Sequence, residues 1–297
     1  MKTADILCIG SVLWDVIGRS PAAMRLGSDV PGRITRLPGG VALNIAMTLR
    51  RFGLTPALLS AVGQDAEGLD LAARCADMGL ITETLYRSED LPTDVYMAVE
   101  GANGLIAAIA DAHSLEAAGD KILRPLADGR LGSAEAPYRG MIALDGNLTE
   151  ALLAQIATSP LFARADLRVA PASPGKAERL LPLLTHPSAT LYVNLEEAGL
   201  LAKAAFASAP EAAEALLARG AARVLVTHGG EACAEGTRGA GVISATPPQV
   251  MVARVTGAGD TFMAAHIVAT RNNAPRQEAL HRAIAAAADY VSGDIGT

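Results

Sequence analysis

The stretch Val252–Met263 combines a glycine-rich turn with an acidic residue, and these residue types could do chemistry on a phosphate. Apolar residues before Gly257-Ala258-Gly259 predict a strand, and those after Asp260 predict a helix. A helix N-terminus presents free N–H groups and a positive dipole end, so the turn could bind an anion. Asp260 could take a proton from a nucleophile that attacks the phosphate. Alternatively, Asp260 is an ordinary first-turn residue and the glycines only make a turn.

The motif Thr256-Gly257-Ala258-Gly259-Asp260 resembles the C-terminal signature of the ribokinase-like (PfkB) family of carbohydrate and nucleoside kinases. The resemblance implies that Gly257, Ala258 and Gly259 form an anion hole and that Asp260 is the general base. It also implies an α/β fold, a ribokinase-like three-layer α/β/α sandwich with a small β lid. Motifs from residue 9 to residue 263 follow the family's order, so we expect residues 1–297 to form a single kinase domain.

Composition excludes several other classes of protein. The net charge is −6 and no basic run is present, which argues against a nucleic-acid polymer or an anionic membrane as partner. Cys8, Cys75 and Cys233 are isolated, as expected of reduced, buried residues and not of a disulfide framework or a zinc site. We find neither a signal-peptide pattern nor an apolar run of membrane-spanning length, so we expect a cytoplasmic protein.

The acceptor-binding residues are expected near the end of the first strand, Ile6–Ile9. Asp15 lies just past that strand, where ligands bind in open α/β sheets. The resemblance implies that Asp15 binds two neighbouring hydroxyls of a sugar, although Leu13 stands where the family has an asparagine. Alternatively, Asp15 is a solvated acid at a strand end.

Further acceptor contacts follow from the same resemblance. A glycine pair opens a helix with an apolar stripe, and an Asp-Gly-Asn turn follows the predicted strand Met141–Leu144. The implied substrate-binding residues are Gly39, Gly40, Asn44 and Asn147.

The nucleotide is expected at the following strand ends. Asn194-Leu195-Glu196-Glu197 matches the family's Asn-x-x-Glu motif, in which Glu197 would help to hold Mg²⁺ through water. The same spacing is also a helix capping box, and both roles can coexist. Ala170 and Ala232 depart from the family pattern. The implied nucleotide-binding residues are Asn194, Thr227, Gly229, Gly257 and Gly259.

Two segments are expected to form the lid, about 16–38 and 93–110. Residues 95–99 alternate in polarity, and Asn103-Gly104 predicts a hairpin with a type I′ turn. A hairpin between helical segments would cover the site and exclude water during transfer. The alternative is an ordinary hairpin of the main sheet. A homodimer through the β lid is a further expectation.

The resemblance implies ATP-dependent phosphorylation, with Mg²⁺, of the primary hydroxyl of a small-molecule nucleoside or sugar. Pseudouridine is the first expected acceptor, from the lid sequence, the Asp-Gly-Asn turn and residues 255–260. A ribokinase-type sugar kinase or another nucleoside kinase is the alternative, and a non-catalytic sugar or nucleoside sensor is an alternative of another class. Arg254 replaces an aspartate of the family's monovalent-cation site and offers no acceptor, so K⁺ is not expected to be required.

Overall fold

A computed structural model describes residues 3–25, 27 and 29–293. Its strands are β1 (Ile6–Ile9), β2 (Leu13–Arg19), β3 (Arg33–Gly39), β4 (Pro56–Leu59), β5 (Ala61–Gly63), β6 (Tyr86–Ser88), β7 (Val95–Gly101), β8 (Gly104–Asp111), β9 (Met141–Asp145), β10 (Asp166–Ala170), β11 (Ala189–Asn194), β12 (Arg223–Thr227), β13 (Cys233–Thr237) and β14 (Gly241–Ala245). Its α-helices are α1 (Val41–Arg51), α2 (Ala66–Asp77), α3 (His113–Ala118), α4 (Arg124–Ala127), α5 (Glu150–Thr158), α6 (Leu181–Leu184), α7 (Leu195–Ala202), α8 (Ala209–Ala218), α9 (Ala258–Arg271) and α10 (Arg276–Ser292).

The main sheet has the strand order β14-β13-β12-β11-β10-β9-β1-β4. The six strands from β12 to β4 run parallel, whereas β13 and β14 are antiparallel at one edge. Parallel strands need helical crossovers, which place helices on both faces of the sheet. No helix of the described residues is long and apolar enough to cross a membrane.

Side-chain alternation along β1 shows the three layers. Ile6 and Cys8 join one buried cluster with residues of α1, α2, α9 and α10. Leu7 and Ile9 join the other cluster, with residues of α3, α5, α7 and α8. The predicted α/β/α sandwich is therefore confirmed. The three cysteines are buried and unpaired, as expected.

The predicted hairpin belongs to a separate sheet and not to the main one. This small sheet has the order β3-β2-β7-β8, in which β2 and β7 are parallel and the other pairs are antiparallel. The prediction of a type I′ turn was wrong. That turn requires a positive φ at both central residues. Gly104 has a φ of 93°, but Asn103 is not in the positive-φ region. A type I turn followed by a left-handed glycine suits this connection instead.

The predicted strand before the glycine turn was also wrong. Residues 252–255 form no strand, although the helix after the turn is present as α9. The backbone N–H groups of Ala253 and Arg254 both donate to the carbonyl of Val291, at 2.9 and 3.2 Å. The stretch therefore lies against the last turn of α10 and has no neighbouring strand with which to pair.

Candidate active site

The glycine turn keeps three amides free at the start of α9. Gly257 is the N-cap, with a φ of 91°, a region that favours glycine. The N–H of Ala258 donates to the carbonyl of Val255 at 3.0 Å. The N–H groups of Gly257, Gly259 and Asp260 have no acceptor within the described residues. The anion-binding amides available are therefore those three, and the amide of Ala258 is occupied.

Asp260 lies in the first turn of α9, half-buried, with its side chain hydrogen-bonded to Asn44 of α1. Burial raises the pKa of Asp260 to about 7, and the negative charge of Asp145 adds to the increase. The hydrogen bond from Asn44 acts in the opposite direction. A carboxylate with a pKa near neutrality beside free amides can accept a proton where negative charge is also stabilised.

Asp145 is a further buried acid that sequence reasoning did not assign to the site. Its Oδ2 accepts from the N–H of Ser11 at 2.8 Å, from the Ser11 hydroxyl at 2.9 Å and from the N–H of Ala42 at 2.9 Å. Its Oδ1 accepts from the N–H of Asn147 at 2.8 Å. Burial raises the pKa of Asp145 and these bonds lower it. Asp145 thus fastens the ends of β1 and β9 to the start of α1.

The Ser11 hydroxyl completes the same junction. It donates to Asp145 and accepts from the N–H of Val41 at 2.8 Å and from the side-chain amide of Asn147 at 2.9 Å. A hydroxyl has one donor and two acceptor positions, so this one is fully used. Gly40 has a φ of 98°, and a Cβ there would lie 2.5 Å from the Ser11 carbonyl oxygen. Gly40 is therefore required by close packing at the start of α1.

Asp15 lies on β2 in the small sheet, half-buried beside Gly39. A Cβ at Gly39 would overlap the Asp15 carboxylate, so the glycine leaves room for that side chain. Burial raises the pKa of Asp15 to about 6. No hydrogen bond to its carboxylate is present among the described residues, which leaves both oxygens able to accept from a ligand.

The side-chain oxygen and the side-chain amide group of Asn147 both have hydrogen-bond partners within the protein. Its side-chain oxygen accepts from the Lys176 ammonium at 2.7 Å, while its amide group donates to Ser11. Lys176 lies in the 3₁₀ helix Pro174–Leu180 and no motif pointed to it. The pair places a half-buried cation beside the expected acceptor site.

Asn194 and Glu197 form a complete capping box. The N–H of Glu197 donates to the Asn194 side-chain oxygen, and the N–H of Asn194 donates to Glu197 Oε2, both at 2.8 Å. Burial raises the pKa of Glu197 to about 7. The structural alternative for this motif is therefore confirmed, while its role toward Mg²⁺ stays a prediction.

The nucleotide residues share the carboxyl end of the main sheet. Asn194 pairs with Thr227 across β11 and β12, and Gly229 follows with a φ of 54°. No hydrogen bond of the described residues joins these strand ends to Asp260. The described residues also contain no group of three or more His, Cys, Asp or Glu that could hold a metal. One carboxylate suits Mg²⁺ held through water and phosphate oxygens, because Mg²⁺ retains much of its hydration shell.

A buried network of polar side chains contacts α9. Arg168 donates to the Tyr192 hydroxyl at 3.1 Å, and that hydroxyl lies 2.8 Å from His266 Nδ1. His266 Nε2 lies 3.5 Å from Glu235 Oε2, at the outer limit for a hydrogen bond. Burial lowers the pKa of His266, which suits a neutral ring that accepts from Tyr192. This network of side chains therefore joins β10, β11 and β13 to the helix that carries Asp260.

The side chain of Arg254 contacts Tyr290 in the last turn of α10. Its Nε donates to the Tyr290 carbonyl at 2.8 Å, and its guanidinium lies 3.9 Å from the centre of the Tyr290 ring. A cation at the last turn of α10 suits the negative end of that helix dipole. The Tyr290 hydroxyl donates to the Thr256 carbonyl at 2.9 Å. Arg254 and Tyr290 thus fasten the glycine turn to α10.

A cavity borders the expected nucleotide residues, since Leu195, Glu196 and His228 belong to its lining. Its volume is about 780 Å³ and it lies along α7. Its lining contains none of Asp15, Asp145 and Asp260, so the expected acceptor site and base lie outside this cavity. Its lining includes Glu178, Leu195, Leu200, Lys203, Phe206 and His228.

Comparison with known proteins identifies the family. Residues 3–293 match the model of the pfkB family carbohydrate kinases. The chain belongs to this family. It is therefore a phosphotransferase with an alcohol acceptor, and the expectation of a kinase over a non-catalytic sensor is confirmed.

Individual relatives agree with this assignment. Pseudouridine kinase of Escherichia coli (strain K12) is 28% identical over 274 residues, which cover 89% of this chain and 83% of the relative. Pseudouridine kinase of Arabidopsis thaliana is 31% identical over 100 residues, which cover 34% of this chain and only 26% of that protein. The structure of Arabidopsis thaliana ribokinase complexed with ribose and ATP superimposes with a TM-score of 0.79 at 20% identity, covering 100% of this chain and 94% of that one.

Proposed function

We propose that this pfkB kinase transfers the γ-phosphoryl group of ATP to the primary hydroxyl of a nucleoside, and that pseudouridine is its acceptor. The observation that carries the proposal is Asp260, which combines a raised pKa, a hydrogen bond from Asn44 and the free amides of the turn. The relative of Escherichia coli, a pseudouridine kinase, supports the acceptor. A sugar acceptor of the ribokinase kind is the second candidate, supported by the fold of the ribose-bound neighbour.

In this mechanism the two ends of the site hold different substrates. Asp15, Gly39, Gly40, Asn44 and Asn147 bind the acceptor, with Asp15 accepting from two neighbouring hydroxyls. Asp260 accepts the proton of the primary hydroxyl as that oxygen attacks phosphorus. Phosphoryl transfer requires mainly positioning and charge stabilisation, so these contacts are sufficient.

The nucleotide end supplies the charge stabilisation. The amides of Gly257, Gly259 and Asp260 donate to the transferring phosphoryl group. Asn194, Thr227 and Gly229 contact the nucleotide phosphates, and Glu197 would hold Mg²⁺ through water. When bound, that ion neutralises phosphate charge.

Three further proposals concern the surroundings of the site. The small sheet covers the acceptor as a lid, and residues 1–297 act as one kinase domain. Exposed apolar side chains on that sheet, among them Ile34, Met97 and Ile109, suit a homodimer contact. We place the protein in the cytoplasm.

The acceptor is tested by a panel of pseudouridine, uridine, adenosine, ribose and fructose with saturating Mg²⁺-ATP. We expect kcat/KM for pseudouridine to exceed each of the others by at least about 100-fold, since sites that pair a substrate's polar edge discriminate strongly. Uridine is the demanding control, because only the glycosidic linkage and the displayed ring edge differ. Equal values for uridine and pseudouridine would contradict the acceptor and leave the kinase assignment intact.

Monovalent cations are expected to have no specific effect on turnover. Arg254 carries a fixed positive charge next to the turn and is held there by Tyr290, so a second cation would be repelled. Turnover should be unchanged when KCl is replaced by a tetraalkylammonium chloride at constant ionic strength. Activation of severalfold that is specific to K⁺ would show that backbone carbonyls form a cation site despite Arg254.

A further inference from the structure

A small basic cleft lies between β6 and the segment that contains α4, away from the residues assigned to the transfer reaction. Its volume is about 160 Å³. Four cationic side chains and no carboxylate line it, although the protein has a net charge of −6. We call this site the basic cleft; its lining residues are Thr84, Leu85, Tyr86, Arg87, Lys121, Arg124, Pro125 and Arg130.

Arg87 lines the cleft and has one buried N–H donor that lacks an acceptor. Its Nη2 donates to the carbonyl of Gly63 at 2.8 Å. Its Nε is buried and has no hydrogen-bond partner in the described part of the chain. A buried donor on a charged group that lacks an acceptor destabilises a fold, so a ligand that accepts from Arg87 Nε would remove this penalty.

The other cations are held close together around Tyr86. Lys121 Nζ and the Arg124 guanidinium each lie 5.6 Å from the centre of the Tyr86 ring. Arg130 is paired with Asp128 through two contacts of 2.9 and 2.7 Å. Lys121 and Arg124 form no ion pair with a carboxylate among the described residues. Like charges around one ring repel one another, and a bound anion would attract each of them.

We propose that the basic cleft is a binding site for a small oxyanion of the phosphate class. Arginine forks and a lysine ammonium are the donors that suit phosphate oxygens. A volume of about 160 Å³ is roughly that of five water molecules at ~30 Å³ each, and sites for larger organic ligands measure about 300–1,000 Å³. The cleft therefore has room for one phosphate group.

The cleft lies against the base of the small sheet. Arg87 donates to Gly63, whose N–H donates to the Thr93 hydroxyl at 3.2 Å. Thr93 is held in turn by Asp65, through its N–H at 2.8 Å and its hydroxyl at 2.5 Å. Since β7 begins at Val95, an anion bound to Arg87 would be two hydrogen bonds from the start of that strand.

Titration calorimetry with inorganic phosphate, without nucleotide or acceptor and at constant ionic strength in chloride, tests the site. We expect saturable binding to the wild type that is at least about tenfold weaker in the double variant Lys121→Gln/Arg124→Gln, since each charge-assisted bond is worth about a factor of ten or more. The matched control is Arg139→Gln/Arg164→Gln, which removes the same charge from exposed positions outside the cleft. It should bind phosphate within about twofold of the wild type.

Two further measurements keep the proposal falsifiable. Arg130→Gln alters only an exposed member of the cleft, and we expect it to weaken phosphate binding by severalfold without loss of the folded state. A phosphate monoester that binds more tightly than inorganic phosphate would identify an organic phosphate as the preferred source. Equal affinity in the wild type and the double variant, or no saturable binding to the wild type, would overturn the proposal. Neither result would bear on the kinase assignment, because phosphate bound at the glycine turn does not use these side chains.

Discussion

Replacing Asp260 with asparagine is expected to lower kcat by about 10²–10⁴, the usual contribution of a positioned general base. The substitution keeps the size of the side chain and its place in the first turn of α9, but the amide cannot accept the proton of the attacking hydroxyl. Nucleotide binding should survive, because the free amides of the turn belong to the backbone. Steady-state kinetics with the best acceptor, together with nucleotide titration, measure both quantities.

The control for Asp260 is an acid in the first turn of another helix. Glu150 occupies that position in α5 and is exposed. Glu150→Gln should change kcat by less than about twofold, since a surface acid at a helix start contributes only a few tenths of a kcal/mol to about 1 kcal/mol of stability. If Asp260→Asn kept more than about a tenth of the wild-type kcat, Asp260 would act as a helix-start residue and not as a base.

The pH dependence of kcat/KM in the wild type provides a second test of Asp260 as the general base. The base must be deprotonated, and its pKa in the free protein is raised to about 7, chiefly by burial. We therefore expect kcat/KM to fall about tenfold per pH unit as the pH drops below that value. The residual activity of Asp260→Asn should fall less steeply with pH, and what dependence remains is expected from Glu197, whose pKa burial also raises to about 7.

Glu235→Gln is expected to lower the free energy of unfolding by about 3 kcal/mol at pH 7. Glu235 is fully buried and pairs with Arg223 at 2.7 Å and Arg276 at 3.0 Å, near His266. Breaking a buried pair costs about 3–5 kcal/mol. We expect the lower end of that range because both arginines remain partly exposed and can be hydrated. Denaturant unfolding at a constant m value measures the difference.

The effect of Glu235 should depend on pH in a definite direction. Burial raises the pKa of Glu235, but the contacts with His266, Arg223 and Arg276 outweigh burial and lower the pKa to about 2. A lowered pKa contributes stability that is present above the unfolded value of about 4.3 and is lost as the pH falls toward 2. The gap between the wild type and Glu235→Gln should therefore narrow below about pH 4. The exposed pair Arg282–Glu278 supplies the control, and Glu278→Gln should cost less than about 1 kcal/mol.

Features set by short-range interactions could be predicted from the sequence alone. The start of α9 follows from glycines that permit a positive φ and from the apolar period after Asp260. The capping box of Asn194 and Glu197 spans three residues, and its two hydrogen bonds are present as the spacing predicted. The three layers follow from strands that are apolar on both faces. In each case the determining contacts lie within one turn or one strand.

Other features depend on residues that only the folded chain brings together. Asp145 holds Ser11 across 134 positions in the sequence, and Lys176 reaches Asn147 across 29. No local pattern encodes such pairs, because their geometry is set by the register of β1 and of β10 against β9. The residues before Gly257 look like a strand in isolation, yet the carbonyl of Val291 takes their hydrogen bonds.

The same distinction applies to the orientation of Arg254 and to the residues that pack against α9. The sequence places Arg254 close to the glycine turn. Only the packing of α10 determines that its guanidinium stacks on Tyr290. Glu235 and its partners Arg223 and Arg276 gave no signal in the sequence, because a buried ion pair has no characteristic spacing. The sequence indicated which residues we propose for the chemistry of transfer. The tertiary structure decided which of their polar atoms stay free, since backbone and side-chain partners from distant strands compete for the same hydrogen bonds.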